Sequence, residues 1–173
     1  MDTMENMMTD EEFAKFMNPP SEGLDEAYDD ISHPQHYTQG VKHEPKDVIR
    51  LWGLNYNVGA AVKYISRAGR KPGNPANKDL RKAAQYIKFE LEWLNNGGVK
   101  DWGFSGNTRS NVEVPLPEEV ATDWEITNTA MKDALTDIFL SVLFISDDPG
   151  DTYISRKLLE QAWNRLTEAS EEV

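Results

Sequence analysis

The sequence has no cysteine among its 173 residues. This absence excludes disulfide bonds, thiolate metal sites and catalysis by a thiol nucleophile, and it is consistent with a reducing cytoplasm. The phosphate-binding motif G-x-x-x-x-G-K-[ST], the dinucleotide-binding motif G-x-G-x-x-G and the serine nucleophile elbow are missing as well. The classes of enzyme that depend on these three motifs are therefore excluded.

Long apolar runs are also scarce. The longest lies near residues 138–145, well short of the ~20 residues that a membrane-spanning helix requires. The first residues are acidic and contain no basic segment followed by an apolar one, so they do not resemble a signal peptide. We therefore expect a soluble protein without a membrane partner.

Acidic residues dominate the chain, but the segment of residues 42–88 is basic. The whole sequence has a net charge of −12, whereas this segment contains 11 of the 18 Lys and Arg residues and only three acids, which gives it a charge of +8. A cationic patch in an anionic protein attracts a small anion and repels bulk polyanions. The pattern predicts a site for a phosphorylated small molecule, and a pI near 4.6 argues against a nucleic-acid partner.

Helical patterns account for most of the chain. We predict a mainly α-helical fold, a small helical domain with a basic helix–loop–helix core and a C-terminal helical hairpin. The predicted organisation is an acidic N-terminal arm over residues 1–30, a nucleotide-binding core over 31–98, a linker over 99–120, and the helical hairpin over 121–173. Within the linker, residues 111–114 are the one candidate for a β-strand.

Two long helices are predicted within the basic segment. The first runs from about Tyr56 to Ala68, with Asn55 as its N-cap and a glycine after its end. The second runs to about Leu94 and is expected to begin at a cap formed by Asn77. A short helix with proline in its first turn precedes them. Helical spacing predicts that buried stripes are formed by Val58, Val62 and Ile65 on the first helix and Leu80, Ala84, Ile87, Leu91 and Leu94 on the second.

The C-terminal hairpin is expected to have two long arms. The first begins at Pro117 or Asp123 and ends at Ser146, and the second ends at about Ala169. Around residues 138–145 the first arm is apolar on more than one face. Because a helix that is apolar all round is buried in a core larger than two helices supply, this pattern predicts a homo-oligomer.

Cations are concentrated where the two basic helices meet. Lys63 and Arg67 are four residues apart and share a helix face, and Arg70 and Lys71 follow at the helix exit. One or two such cations are explained by the helix dipole, but four are not. If the helices pack antiparallel, Lys82 approaches the same place. We therefore favour a phosphate site over a solvated basic surface.

Asp79 is the only acid between residues 48 and 89. Its simplest role is to complement the positive end of the second helix, since it lies in the first turn. It could instead orient Arg67 or Arg70, or accept a sugar hydroxyl.

The polar H-P-Q-H-Y loop of residues 33–37 precedes the basic segment. Tyr37 could stack on a base, and His36 could donate to a phosphate or move a proton. The alternative is a loop that is packed by its aromatic residues. A metal site is not predicted, because no carboxylate or thiol lies at a matching spacing.

A carboxylate stripe occurs in the first hairpin arm, where Asp133 and Asp137 share a face and Glu125 lies two turns earlier. Such a stripe could bind Mg²⁺. The paired E-x-x-E and E-x-x-D spacing of helical pyrophosphohydrolases is absent, so we interpret it as a solvated face.

Several stretches together resemble a phage family known as a domain of unknown function, DUF3310 or SaV-like. They are H-P-Q-H-Y at residues 33–37, D-V-I at 47–49, G-A-A-V-K-Y-I-S-R-A-G-R-K at 59–71 and K-D-L-R-K-A at 78–83. The resemblance covers roughly residues 31–94, and Tyr86 also matches. One departure is Ala60, where the family pattern often has asparagine.

Because members of this family include a nucleotide kinase of T7-type phages that acts on dTMP and dGMP, the resemblance implies the same activity here. It also implies location in the host cytoplasm during infection. ATP or another nucleoside triphosphate would be the phosphate donor, and Mg²⁺ is possible but not indicated. The expected catalytic residues are His36, Arg67 and Asp79. The expected substrate and phosphate ligands are Tyr37, Lys63, Tyr64, Arg67, Arg70, Lys71 and Lys82.

Two other classes of function stay open. A non-catalytic protein that sequesters a nucleotide or a nucleotide signal needs the same cationic pocket but no base and no second nucleotide site. An interaction protein would use the acidic arm and the hairpin to bind a host protein.

Overall fold

The computed structural model describes residues 9, 34–38, 40–101, 113–144 and 149–172, without the side chains of residues 35, 36, 149 and 150. The chain divides into two compact units, Met1–Gln35 and His36–Val173. The acidic N-terminal arm, apart from residue 9, lies outside the described residues, as does His33. The architecture given below is that of the second unit.

The mainly α-helical fold class is confirmed, and the described ranges contain no β-strand. Residues 113 and 114 of the candidate strand are irregular, and 111 and 112 lie outside the described ranges. None of the helices in these ranges has the length and apolarity to cross a bilayer. The helices are α1 (Gln35–Thr38), α2 (Pro45–Leu51), α3 (Tyr56–Arg67), α4 (Ala76–Asn95), α5 (Pro117–Asp123), α6 (Thr129–Leu143) and α7 (Pro149–Glu171).

Both ends of α3 follow the sequence prediction, but the start of α4 does not. The Asn55 side chain caps α3 by accepting from the backbone N–H of Val58 at 3.0 Å, and Gly69 adopts a left-handed φ of +80° just after α3. The predicted cap of α4, Asn77, lies inside the helix instead. Pro75 occupies the N-cap position and makes no side-chain hydrogen bond, because its ring has no polar atom.

The predicted first arm of the hairpin is wrong in one respect, since it consists of two helices. The chain breaks between α5 and α6, where Glu125 has a left-handed φ of 55°. Asn128 then restarts the helix by accepting from the backbone N–H of Met131 at 2.9 Å. An asparagine cap competes well with helix continuation, which explains the break.

One continuous apolar core joins the basic helices to the C-terminal helices. Helix α4 packs against both α3 and α7, and α7 also packs against α6. The predicted stripes of α3 and α4 are confirmed as buried. On α7, Leu159, Ala162 and Leu166 are fully buried, whereas Ile154 is exposed. Helix α7 therefore covers the apolar face of α4.

Polar contacts attach the segment before α2 to the C-terminal half. The carboxylate of Asp123 accepts the backbone N–H groups of Lys42 and His43, each at 2.7 Å. Trp124 Nε1 donates to the carbonyl of His43 at 2.8 Å. The fully buried Trp52 likewise donates from Nε1 to the carbonyl of Pro115 at 2.8 Å. Hydrogen bonds between residues that are distant in sequence thus fix the position of the chain that leads into α2.

Candidate functional site

A buried ion pair joins the end of α3 to the start of α4. The Asp79 side chain is fully buried, and its two oxygens accept from Arg67 Nε at 3.0 Å and Nη2 at 2.6 Å. The hydrogen bond that Arg67 donates to Asp79 raises the pKa of Arg67 above its usual value, so the guanidinium is permanently charged. The predicted possibility that Asp79 orients Arg67 is confirmed by this geometry. The pair holds a cation in one orientation at the junction of the two helices.

Tyr64 is the centre of a cluster of cations and aromatic rings. The guanidinium carbon of Arg67 lies 4.8 Å from the ring centroid, and Nζ of Lys82 lies 5.2 Å from it. Tyr86 stacks on the same ring, with centroids 5.7 Å apart and an interplanar angle of 22°. The ring attracts both cations through its quadrupole. The structure thus brings Lys82 of α4 and Arg67 of α3 to one aromatic group, as the sequence predicted for antiparallel helices.

Tyr37 extends this cluster towards the start of the second unit. Its hydroxyl is hydrogen-bonded to Arg67, and Nζ of Lys63 lies 5.6 Å from its ring centroid. Burial raises the pKa of Tyr37 above its ordinary value, while the charge and hydrogen bond of Arg67 oppose that rise. The phenol is therefore neutral at pH 7 and can donate a hydrogen bond. Stacking of Tyr37 on a nucleobase stays a prediction, and its position beside Lys63 and Arg67 places it in the cationic cluster.

An open groove of about 310 Å³ runs along α3 from this cluster. Its walls are formed by Ile49, Leu54, Asn55, Tyr56, Gly59, Ala60, Lys63, Tyr64 and Tyr86. Gly59 is needed where α2 approaches α3, since a Cβ at this position would lie 2.8 Å from Cγ2 of Ile49. Ala60, the departure from the family pattern, lines the groove directly. The groove therefore joins apolar and aromatic walls to a cationic end.

The other predicted site residues occupy different surroundings. Arg70 is half-buried and Lys71 is exposed in the loop after α3. His36 belongs to α1, but its side chain lies outside the described part of the chain.

The predicted solvated carboxylate face is wrong for Asp137, which is buried and accepts from Arg165 Nε at 2.7 Å. Asp133 also binds Arg165, at 2.6 Å, so this stripe is a structural ion-pair network.

Two aromatic residues of the site, Tyr86 and Tyr56, were not among the binding residues predicted from the sequence. Tyr86 lies one helical turn after Lys82, a spacing that places it on the same face. Tyr56 makes an edge contact with Tyr86, with centroids 5.9 Å apart, and is 77% exposed at the far end of the groove. The periodicity of α4 could have identified Tyr86, but the exposure of Tyr56 depends on the packing of α3.

The cluster concentrates the positive charge that an anion site would need. Within the described ranges, no three His, Asp or Glu side chains are grouped as metal ligands. Instead, two tyrosine rings are surrounded by three cations, which are Lys63, Arg67 and Lys82. Residues 31–88 match the family model DUF3310, described as a protein of unknown function.

The match supports membership of DUF3310 and covers about a third of the chain, ending within α4. No curated protein and no solved structure matches the chain. The DUF3310 segment contains every residue of the cationic cluster and all the walls of the groove. Helix α7, which packs against α4, lies outside it.

Proposed function

We propose that the groove and cationic cluster bind a nucleotide, and that the protein transfers a phosphoryl group from a nucleoside triphosphate to a deoxynucleoside monophosphate. The observation that supports this proposal best is the convergence of Lys63, Arg67 and Lys82 at the end of an aromatic groove. A nucleotide has the matching polarity, with an anionic phosphate at one end and a planar base at the other. The family resemblance to a dTMP and dGMP kinase points in the same direction.

Each group has a distinct role in the proposed complex. Lys63 and Lys82 contribute mobile charges to phosphate oxygens, and Arg67 contributes a fixed guanidinium held by Asp79. Because the Tyr64 ring is already in contact with Arg67, Lys82 and Tyr86, we assign it to positioning these groups. The exposed Tyr56 is better placed than Tyr64 to stack on a base.

The transfer step needs no general base at this site. The attacking group is a phosphate oxygen of the monophosphate, which is already anionic near neutral pH. It forms a bond to the γ-phosphorus, the bond from that phosphorus to the β-bridging oxygen breaks, and the electron pair leaves with the nucleoside diphosphate. The required contribution is alignment and charge neutralisation. Asp79 is therefore a positioning residue in this proposal, because both of its oxygens bind Arg67.

The decisive experiment measures phosphoryl transfer from ATP to each of the four deoxynucleoside monophosphates, with and without Mg²⁺. Wild type is compared with Arg67→Ala and with Arg165→Ala, which removes a guanidinium from the structural network of α6 and α7. Product formed by wild type and Arg165→Ala, but not by Arg67→Ala, supports the kinase. Turnover that is unchanged in Arg67→Ala refutes the assignment of the site.

A second candidate is a protein that sequesters a nucleotide without turnover. The described residues form one groove at the cluster, whereas a kinase must hold a donor and an acceptor together. Saturable nucleotide binding that is lost in Arg67→Ala, with no product after long incubation, would establish this candidate and reject the kinase.

A further inference from the structure

A second, smaller pocket lies at the N-terminal end of α3, away from Arg67. It has a volume of about 150 Å³ and is lined by Asn55, Tyr56, Asn57, Glu90, Trp93 and Asp101. Glu90 and Asp101 lie beyond the segment that matches DUF3310. None of the six lining residues is cationic, so the charge of this pocket is opposite to that of the cluster around Tyr64.

Glu90 is the unusual residue of the pocket. It is only 1% exposed, and Oε2 accepts from Asn57 Nδ2 at 2.8 Å. Its other oxygen, Oε1, is buried and has no hydrogen-bond partner within the described structure. A buried polar atom without a partner is destabilising, and more so when it is charged. The position of Glu90 in the pocket lining suggests a ligand that neutralises this oxygen.

Asp101 supplies a second carboxylate to the same pocket. Its Oδ1 accepts from Asn55 Nδ2 at 2.6 Å, while Oδ1 of Asn55 caps α3 at the backbone N–H of Val58. Both the nitrogen and the oxygen of the Asn55 amide are thus hydrogen-bonded, and the amide holds Asp101 in place. Each carboxylate is oriented by one asparagine on one oxygen, an arrangement that resembles the outer-shell hydrogen bonds of metal ligands.

We propose that Glu90 and Asp101 bind a hydrated divalent cation of the Mg²⁺ type. Hard divalent cations prefer carboxylate oxygens, and Mg²⁺ retains several waters when one or two carboxylates hold it. The pocket volume corresponds to about five waters at ~30 Å³ each, which leaves room for a cation with part of its hydration shell. Glu90 Oε1 and the Asp101 carboxylate are the protein ligands.

The cation has a structural consequence that is independent of the proposed nucleotide chemistry. It joins the start of α3, the last third of α4 and the segment that follows α4. That segment is already attached by a hydrogen bond from Trp93 Nε1 to the carbonyl of Val99 at 3.0 Å. Binding to the folded state alone raises the free energy of unfolding by mass action, so Mg²⁺ should increase the melting temperature.

Two metal probes applied to the full chain test this site. Mn²⁺ binding is measured by electron paramagnetic resonance, and Tb³⁺ binding by luminescence excited through Trp93. The variants are Glu90→Gln and Asp101→Asn, which keep side-chain volume but remove charge. The matched control is Glu92→Gln, which removes an exposed carboxylate from the same helix. Circular dichroism establishes that each variant is folded.

The expected result is one saturable Mn²⁺ site in wild type and Glu92→Gln that is weakened about tenfold or more in Glu90→Gln and in Asp101→Asn. Trp93→Phe should reduce Tb³⁺ luminescence while Mn²⁺ affinity is preserved. The proposal is overturned if wild type shows no saturable site, or if Glu90→Gln and Glu92→Gln bind Mn²⁺ alike. It is also overturned if Glu90→Gln changes only nucleotide affinity, since the pocket then binds an N–H donor of the ligand.

Discussion

Arg67 and Asp79 form a two-point ion pair across the α3–α4 junction, with Nε and Nη2 of the arginine on separate oxygens of a fully buried carboxylate. This geometry fixes both the position and the plane of the guanidinium. Lysine could supply the charge but not the two-point contact. The pair is therefore the rigid part of the cationic cluster, and the lysines around it are the adjustable part.

Breaking this pair should destabilise the fold. Asp79→Asn leaves the Arg67 guanidinium without its buried counter-charge, so we expect the free energy of unfolding to fall by about 3 kcal/mol. Urea denaturation measures the change. The control is Asp133→Asn, whose carboxylate is 45% exposed in its pair with Arg165 and should cost less than about 1 kcal/mol. Equal losses in the two variants would contradict the structural role given to Asp79.

Lys82 should contribute to nucleotide affinity more than its neighbour Lys88. Lys82 lies over Tyr64 in the cluster, whereas Lys88 is an exposed residue of the same helix that faces Glu92 at 4.0 Å. We expect Lys82→Ala to weaken nucleotide binding about tenfold, equivalent to ~1.4 kcal/mol, and to reduce its salt dependence. Isothermal titration calorimetry at two salt concentrations measures both effects. Comparable losses in Lys88→Ala would indicate a diffuse basic surface instead of a site.

The close approach of α2 to α3 depends on Gly59. Gly59→Ala places a methyl group 2.8 Å from Cγ2 of Ile49, and we expect overpacking to cost about 1–3 kcal/mol. Ile49→Leu removes the β-branch that carries Cγ2. The double variant should therefore recover much of the stability lost in Gly59→Ala, as measured by thermal denaturation. Failure of this rescue would place the cause elsewhere on α3.

The stability contribution of Asp137 should depend on pH. Burial raises the pKa of Asp137 above its ordinary value of 3.8, and the charge of Arg165 opposes that rise. Because the folded protein binds this proton more tightly than the unfolded chain, the stability gained is full below the unfolded pKa and is lost as pH rises through the folded pKa. Urea denaturation from acid to neutral pH should show the stability of wild type falling relative to Asp137→Asn. Asp133→Asn is the control, because it removes the other contact with Arg165 and leaves the Asp137 carboxyl in place.

Self-association through α6 is a further prediction from the sequence. Leu140 and Leu143 lie one turn apart and are 37% and 50% exposed, on a helix whose other apolar side chains are mostly buried. We expect wild type to be oligomeric by analytical ultracentrifugation and Leu140→Asp/Leu143→Asp to be monomeric. Lys132→Asp, also on α6, is the control for the added charge. An oligomer that persists in the leucine double variant would require another interface.

The sequence predicts the helices of this protein better than its site. Apolar residues at helical spacing identify the buried faces of α3 and α4, because burial imposes that spacing directly. The break at Glu125 could not be predicted, since Asn128 caps a helix only if the chain turns before it. Lys63, Arg67 and Lys82 were grouped correctly by charge. The partner that holds Glu90, by contrast, is Asn57, 33 residues away, and only packing brings such a pair together.

The hydrogen bonds that join Asp123 and Trp124 to residues 42 and 43 have a consequence for the boundaries of the family segment. A fragment of residues 31–88 would carry every group of the cationic cluster, but its α4 would be truncated and would lack the apolar cover of α7. The segment that matches DUF3310 is thus smaller than the unit whose helices share one apolar core. A fragment limited to the matched residues would expose the apolar face of α4 to water or to a second molecule.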